Sequence, residues 1–307
     1  EIEIFLDEDG NFMDFIAKGK VRDLEAVFFD NLALTKTKFS FFADKNDILV
    51  KSIFGNFEDI KIFDGDIKVN FENGIKLNSN FNSSIKLNKD YLKKYEKFYK
   101  KNNLLSQLNS IDATLNNNFY IAFDETYKVT DYSYSLLGDL KKSKFVLAEL
   151  IENEFIEEKI NKIYFSDIKF QSIFTPKNIN FNGEGKYSFN NLEFLKINFA
   201  NNLKNNEIDL KLNFDFRKSL KVDFLNYKKP NNSLGNLSIY LKKQKDLIKI
   251  KELSFKEKDN VIELKNINFK NNKLLSFDEL QVETNNNNFF IKKDKKILIK
   301  GSKFDAT

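Results

Sequence analysis

The chain has no cysteine and no histidine. The first absence excludes disulfides, thiolate metal sites and cysteine nucleophiles. It does not locate the protein, since a compartment cannot be read from thiols that are missing. The second removes the commonest general base and the commonest metal ligand. A hydrolytic triad or a zinc site would need unusual substitutes, so the composition argues against an enzyme, a metal site or a cofactor. Tryptophan is absent too. No signal peptide and no apolar run of transmembrane length is present. The chain starts at Glu1 and stops at Thr307, just past a strand-like run. We therefore expect one continuous β-rich segment, 1–307, of a larger protein, with any membrane anchor outside it. Only Pro176 and Pro230 represent proline, both in turn-like sequence, which suits ladders that tolerate few missing donors.

What is present is charge of both signs, asparagine and phenylalanine. Lys plus Arg is 50 and Asp plus Glu 45, a formal charge of 50 − 45 = +5. The signs alternate rather than forming blocks, as on a solvated surface and unlike a nucleic-acid stripe. Lysines interleaved with Phe and Tyr could bind single strands by stacking. Acidic residues share the lysines' face almost one for one, however, so no nucleic-acid partner is expected. Asparagine runs such as 116–118 and 285–288 read as turns in a compositionally biased chain.

The period of the apolar residues is two. Ile67, Val69, Phe71, Ile75, Leu77, Phe81, Ile85 and Leu87 take odd positions, with Lys, Asn, Glu, Gly and Ser between them. Residues 207–224 repeat the signal: Ile208, Leu210, Leu212, Phe214, Phe216, Leu220, Val222 and Phe224 take even positions. Each stretch predicts strands with one apolar and one polar face. Shorter versions recur at Ile2, Ile4 and Leu6, at Phe15, Ala17, Gly19 and Val21, and from Ile239 to Ile299. Gly55 is read as closing a strand, and Asp64-Gly65 and Asn73-Gly74 as hairpin turns. Residues 144–159 are ambiguous between a helical turn and a strand buried on both faces. No βαβ rhythm appears, which argues against doubly wound and TIM-type folds.

Residues 89–110 break the rhythm between strand regions 1–88 and 111–307. Tyr91, Leu92, Tyr95, Phe98 and Tyr99 recur at helical spacing among lysines, with Asp90 placed to cap the N-terminus. We expect a short amphipathic helix near 90–108, ended by Asn102-Asn103, with one more turn at Leu104, Leu105 and Leu108. It would pack on the sheet; lying on a membrane surface is the alternative.

Three motifs invite chemistry. Asp7-Glu8-Asp9-Gly10-Asn11 resembles the start of a calcium loop but lacks its ligand spacing and closing Glu, and reads as an acidic turn. Asp64 and Asp66 could pair as acid and base, but turn chemistry accounts for them. Gly183-Glu184-Gly185 precedes a strand rather than a helix, so it is no phosphate loop.

One-sided strands need something to cover their apolar side. A sandwich, a barrel and a trough are all solutions. Ten glycines and an even spacing favour the trough: an all-β fold, a long curled antiparallel sheet forming an elongated groove. Such a wall holds acyl chains without specificity, at about 0.8 kcal/mol per buried methylene. Its expected lining is Ile67, Val69, Phe71, Ile75 and Leu77, then Ile208, Leu210, Leu212, Phe214, Phe216, Val222 and Phe224. They act collectively, with no catalytic residue.

Several segments resemble the periplasmic repeats of the AsmA-like family, including its YhdP and TamB group of bridge-type lipid transporters. They are Gly19-Lys20-Val21-Arg22-Asp23-Leu24, Phe39-Ser40-Phe41, Ile53-Phe54-Gly55, Asp64-Gly65-Asp66-Ile67 and Leu77-Asn78-Ser79-Asn80-Phe81. The later runs 251–255 and 264–269 are in the same style. The resemblance is one of strand rhythm along nearly the whole chain. It implies a periplasmic segment, anchored to the inner membrane elsewhere, that carries phospholipid toward the outer membrane. It carries over no catalytic residues. The contrasting expectation is a structural or adhesive β-solenoid or sandwich with a dry core and no ligand.

Overall fold

The computed structural model describes residues 1–27, 32–99, 105–153, 156–271, 273–293 and 295–305. All of its strands belong to one antiparallel sheet that is not closed into a barrel, the all-β class expected from the period-2 pattern. The chain divides into two compact units. Unit 1 is Glu1–Ser143 with Lys169–Lys177, and unit 2 is Lys144–Ile168 with Asn178–Thr307.

Unit 1 contains β1 (Ile2–Leu6), β2 (Phe12–Val27), β3 (Ala33–Ala43), β4 (Asp47–Phe57), β5 (Ile60–Asn70), β6 (Ile75–Asn88) and β7 (Leu108–Phe123). Each pairs with the next in sequence. The long strands β8 (Val129–Asn153) and β9 (Ile156–Thr175) contribute to both units. The ambiguous run after Lys144 is therefore strand where it is described, and Leu150 and Ile151 are exposed, not buried on two faces.

Gly55 and Asp64-Gly65 do not end strands. The turn after β4 is at Glu58-Asp59, and Gly55 and Gly65 lie inside β4 and β5. They belong to a line of bulges that crosses the unit. The register slips after Val21 in β2, Thr35 in β3, Val50 in β4 and Phe63 in β5. Each slip contains a residue in the left-handed region: Asp23 (φ 54), Lys36 (φ 52), Ser52 (φ 56) and Asp64 (φ 51). An extra residue on one strand bends it and increases its twist, so bulges in successive strands crease the sheet. The glycines permit the close approach. A Cβ on Gly55 would sit 2.4 Å from the Thr37 hydroxyl, and one on Gly65 3.0 Å from Ile53 Cβ. Asp66 accepts a hydrogen bond from the Ser52 amide (3.0 Å), satisfying a donor the bulge frees.

The helical segment is shorter and more broken than its spacing suggests. Helix α1 (Lys89–Leu92) passes through a 3-10 turn, Lys93–Tyr95, into α2 (Glu96–Tyr99). The cap is Asn88, not Asp90: its side chain accepts from the amides of Asp90 and Tyr91. Leu105 falls in a second 3-10 turn, and Leu108 already begins β7. Asn102-Asn103, Lys100, Lys101 and Leu104 lie outside the described residues, as do the side chains of Phe98 and Tyr99.

Unit 2 continues with β10 (Asn178–Phe189), β11 (Leu195–Lys204), β12 (Glu207–Phe216), β13 (Leu220–Val222), β14 (Tyr227–Lys229), β15 (Gly235–Gln244), β16 (Leu247–Glu257) and β17 (Asn260–Lys270). It closes with β18 (Lys273–Ser276), β19 (Glu279–Glu283), β20 (Asn288–Lys293) and β21 (Ile297–Lys303). Asn205 (φ 51) and Asn206 (φ 62) make a two-residue turn between β11 and β12, where asparagine tolerates the left-handed region. Gly183 and Gly185 lie within β10, not ahead of a strand. A Cβ on Gly185 would meet the Asp167 carbonyl at 2.5 Å.

The alternation over 207–224 is not one strand. β12 ends at Phe216 and pairs with β15 along its length, from Glu207 opposite Gln244 to Phe216 opposite Gly235. The chain between them leaves the ladder, forms β13, a 3-10 turn (Asp223–Leu225) and β14, and returns. This excursion carries Leu225 and Tyr227 into a closed core with Phe255, Ile262, Leu280, Val282 and Phe289.

Candidate functional site

Directly paired residues share a face, so the ladders show what the apolar side is made of. In unit 1 one row across the strands reads Ile2, Ala17, Ala43, Ile48, Val69, Leu77, Ile121. The next reads Gly19, Phe41, Val50, Ile67, Ser79, Phe119. Ile75 lies opposite Phe123 on the same side. Four expected lining residues, Ile67, Val69, Ile75 and Leu77, are thus brought together on one face. Phe71 is in the turn after β5, exposed at 40%.

None of the aliphatic or aromatic side chains in these two rows is buried; apart from the exposed edge residue Ile2, they are half-buried. Strands β1 to β7 pack on one another along their ladders, and α1 packs against β6 and β7 at one end. That end is closed: Leu32, Leu87, Leu92 and Ala113 are buried. Lys94 ties the helical segment down, with its ammonium 3.1 Å from Glu58 and 3.0 Å from Asp59. Hydrogen bonds to Asp59 and Glu58 raise the Lys94 pKa. The Ala33 amide, then Lys94, lowers that of Glu58.

The opposite face is mixed, one row reading Lys18, Phe42, Leu49, Lys68, Asn78, Tyr120. A hollow of about 440 Å³ is walled by Leu49, Lys68, Asn78 and Tyr120 and by Lys51, Asp66, Asn80 and Asn118, the rows on either side of Val50–Phe119. Val50, Ile67, Ser79 and Phe119 border it as well, so of the expected lining residues it touches Ile67 alone.

In unit 2 the equivalent rows are Phe199, Leu212, Ile239, Leu253, Leu264, Leu280, Ile291, Ile299 and Ile197, Phe214, Leu237, Phe255, Ile262, Val282, Phe289. Ile208, Leu210, Leu212 and Phe214 are half-buried on this face. Phe216 is buried. Val222 packs against the closed core from β13. Phe224 sits in the 3-10 turn, exposed at 61%, and lines nothing. The face is thus filled by the excursion toward β19 and β20 and only half-covered at β11 and β12.

Two polar groups that the sequence reading missed hold the excursion. The Lys229 ammonium, fully buried, donates to the carbonyls of Arg217 (2.9 Å), Lys218 (2.8 Å) and Pro230 (3.0 Å), where the chain leaves and rejoins the ladder. Burial pushes its pKa down to about 8, against the opposing charge of Glu257. Asn287 donates to the carbonyls of Leu225 (2.6 Å) and Asp305 (3.0 Å) and accepts from the Asp305 amide (2.7 Å). The acidic turn at Asp7 is what its sequence suggests. The carboxylate accepts from Asn11 and Asp9, and those bonds, the Asn11 side chain first, lower its pKa.

Among the described residues no group of three His, Cys, Asp or Glu is placed to hold a metal ion, and no helix is long and apolar enough to cross a membrane. Along the two rows of unit 1 the only side-chain hydrogen-bonding group is the Ser79 hydroxyl, while farther along the same face Asn117 donates to Ser83 and accepts from the Tyr134 hydroxyl, so the two rows themselves can hold a ligand through burial of apolar surface and little else. Comparison with protein-family models, curated proteins and solved structures finds no match.

Proposed function

We propose that the chain binds the acyl chains of phospholipids along its apolar face, as a periplasmic section of an inner-membrane-anchored, bridge-type protein conducting lipid toward the outer membrane. The observation that carries this is the pair of apolar rows in unit 1, half-buried across β2 to β7, while the chain's own side chains close the matching face of unit 2 around Val282. A monomer seldom leaves so wide an apolar surface without an occupant. Hydrocarbon fits it because the rows offer length without directional groups.

Face-specific crosslinking tests the reading. A photoreactive residue at Ile67, Val69 or Leu77 should capture phospholipid in cells, and one at Lys68 or Asn78 should not. Leu77→Arg should cut capture at Ile67 about tenfold or more by placing a charge against the hydrocarbon, with the circular dichroism spectrum unchanged. Equal capture at Ile67 and Lys68, or capture at Ile67 indifferent to Leu77→Arg, contradicts the groove. The closed core of unit 2 favours a second reading, a structural β-protein with a dry interior, under which none of these sites captures lipid.

A further inference from the structure

Unit 2 leaves one end of its apolar face open as a hollow of about 260 Å³. Tyr187 pairs with Leu195 next along from the pair of Gly185 and Ile197 on that face, and Phe216 follows Phe214 on the same side of β12. The hollow therefore continues the half-buried strip of Phe199, Leu212, Ile197 and Phe214. Its walls are Tyr187, Phe189, Leu192, Leu195 and Phe216. An apolar, largely aromatic lining with a few polar groups at its edge is the make-up of a small-molecule site.

The protein itself holds this lining in place. The Tyr187 hydroxyl donates to the Asp215 carbonyl at 2.6 Å, and its ring meets Phe189 and Phe214 edge-on at 5.0 and 5.7 Å. The Lys229 ammonium stands over the Phe216 ring at 5.5 Å. Leu192 comes from the turn after β10, where Asn190 (φ 55) and Asn191 (φ 62) are both left-handed. The Asn190 side chain accepts from the Asn161 and Lys162 amides, each at 3.3 Å, and donates to the Lys159 carbonyl at 3.0 Å. A turn so firmly anchored still leaves Leu192 65% exposed at the hollow.

The rim is charged. Arg217 and Lys218 stand against one carboxylate, Glu193, and the remaining rim residues, Asn231 and Asn232, are neutral. Arg217 lies 3.1 Å from Glu193, with both side chains exposed. Surface pairs of this kind contribute little. A guanidinium carries five N–H donors in a fork, so one carboxylate oxygen leaves it able to take a second anion. An apolar hollow with two cations and one anion at its mouth suits a ligand with an apolar body and one negative group.

We propose that this hollow seats the head-group end of an acyl-chain ligand. Its negative group, carboxylate or phosphate, lies at Arg217 and Lys218, and its first methylenes lie against Tyr187, Leu192 and Phe216. The rest of the chain runs over Ile197 and Phe214 toward Phe199 and Leu212. This rests on the reading that the protein carries acyl chains, and adds the place in unit 2 where the head group is held.

Calorimetric titration of the 307-residue chain with decanoate, 1-decanoyl lysophosphatidylglycerol and uncharged 1-decanol tests this. A plain apolar surface prefers the alcohol, because burying a charge costs more than burying a hydroxyl. Here either anion should bind about tenfold or more tightly than the alcohol, and the tighter anion identifies the source, free fatty acid or lipid. Arg217→Gln combined with Lys218→Gln keeps the carbonyls that hold Lys229, and should erase the preference while leaving decanol binding unchanged. Leu192→Asp, at an exposed position, should weaken binding of every probe about tenfold. Alcohol bound as tightly as both anions overturns the proposal. So does an anion preference that survives the double variant, or binding indifferent to Leu192→Asp. Phospholipid capture at Ile67 reads the lipid-conducting function separately. Capture there without an anion preference strikes the head-group site alone. An anion preference without capture there strikes the conducting function and leaves the site in unit 2 standing.

Discussion

Phe255→Ala should lower the unfolding free energy by about 3–5 kcal/mol, the range for deleting a buried aromatic ring. Phe255 is 3% exposed at the centre of the unit 2 core. Its ring packs edge-on to Tyr227 at 6.1 Å and lies over Gly235, where a Cβ would come within 2.9 Å of it. Strand neighbours fixed by hydrogen bonds on both sides cannot collapse into the space the ring leaves. Phe71→Ala provides the contrast, since a side chain 40% exposed in a turn should cost well under half as much. Urea unfolding followed by tyrosine fluorescence measures both, the chain having no tryptophan. Equal losses for the two variants would mean that the closed core around Val282 is not there.

Asn287→Ala should cost roughly 3 kcal/mol, through loss of hydrogen bonds to groups that stay buried. Asn287 is fully buried, and its side chain bonds Leu225, which the excursion carries into the core, and Asp305, which follows β21. Without the amide, two carbonyls and an amide lose their partner, and methyl-sized alanine admits no compensating contact. Asn288→Ala, at the exposed next position, should be nearly neutral. The Asn287 variant should also expose Tyr227, read as faster quenching of tyrosine fluorescence by acrylamide. A loss under 1 kcal/mol for Asn287→Ala would show that the excursion is held by other contacts.

Period-2 alternation made the open antiparallel sheet and its two faces legible, because burial on one side writes itself into every second residue. Val69 and Leu77 share a face in sequence and are directly paired in the structure. The departure at Phe216 had a signal too. Lys218 occupies an apolar-parity position within 207–224 and marks where the chain leaves the ladder. Asp64-Gly65 misled because a left-handed residue followed by glycine serves a bulge as well as a hairpin; which one it serves depends on whether the neighbouring strand has a matching slip. Asn287 was illegible within four consecutive asparagines. Only the return of the chain past Leu225 singles it out. Asp90 lost the cap to Asn88 because the last residue of β6 was already extended, the conformation a cap requires.

The central claim is that hydrocarbon, not protein, completes the apolar face of β2 to β7. It is tested most directly by purifying the chain without detergent from its native envelope, extracting it and quantifying phospholipid by mass spectrometry. The account predicts at least one phospholipid per chain, reduced by Leu77→Arg and unaffected by Phe71→Ala. A folded, soluble chain that carries no lipid would contradict it.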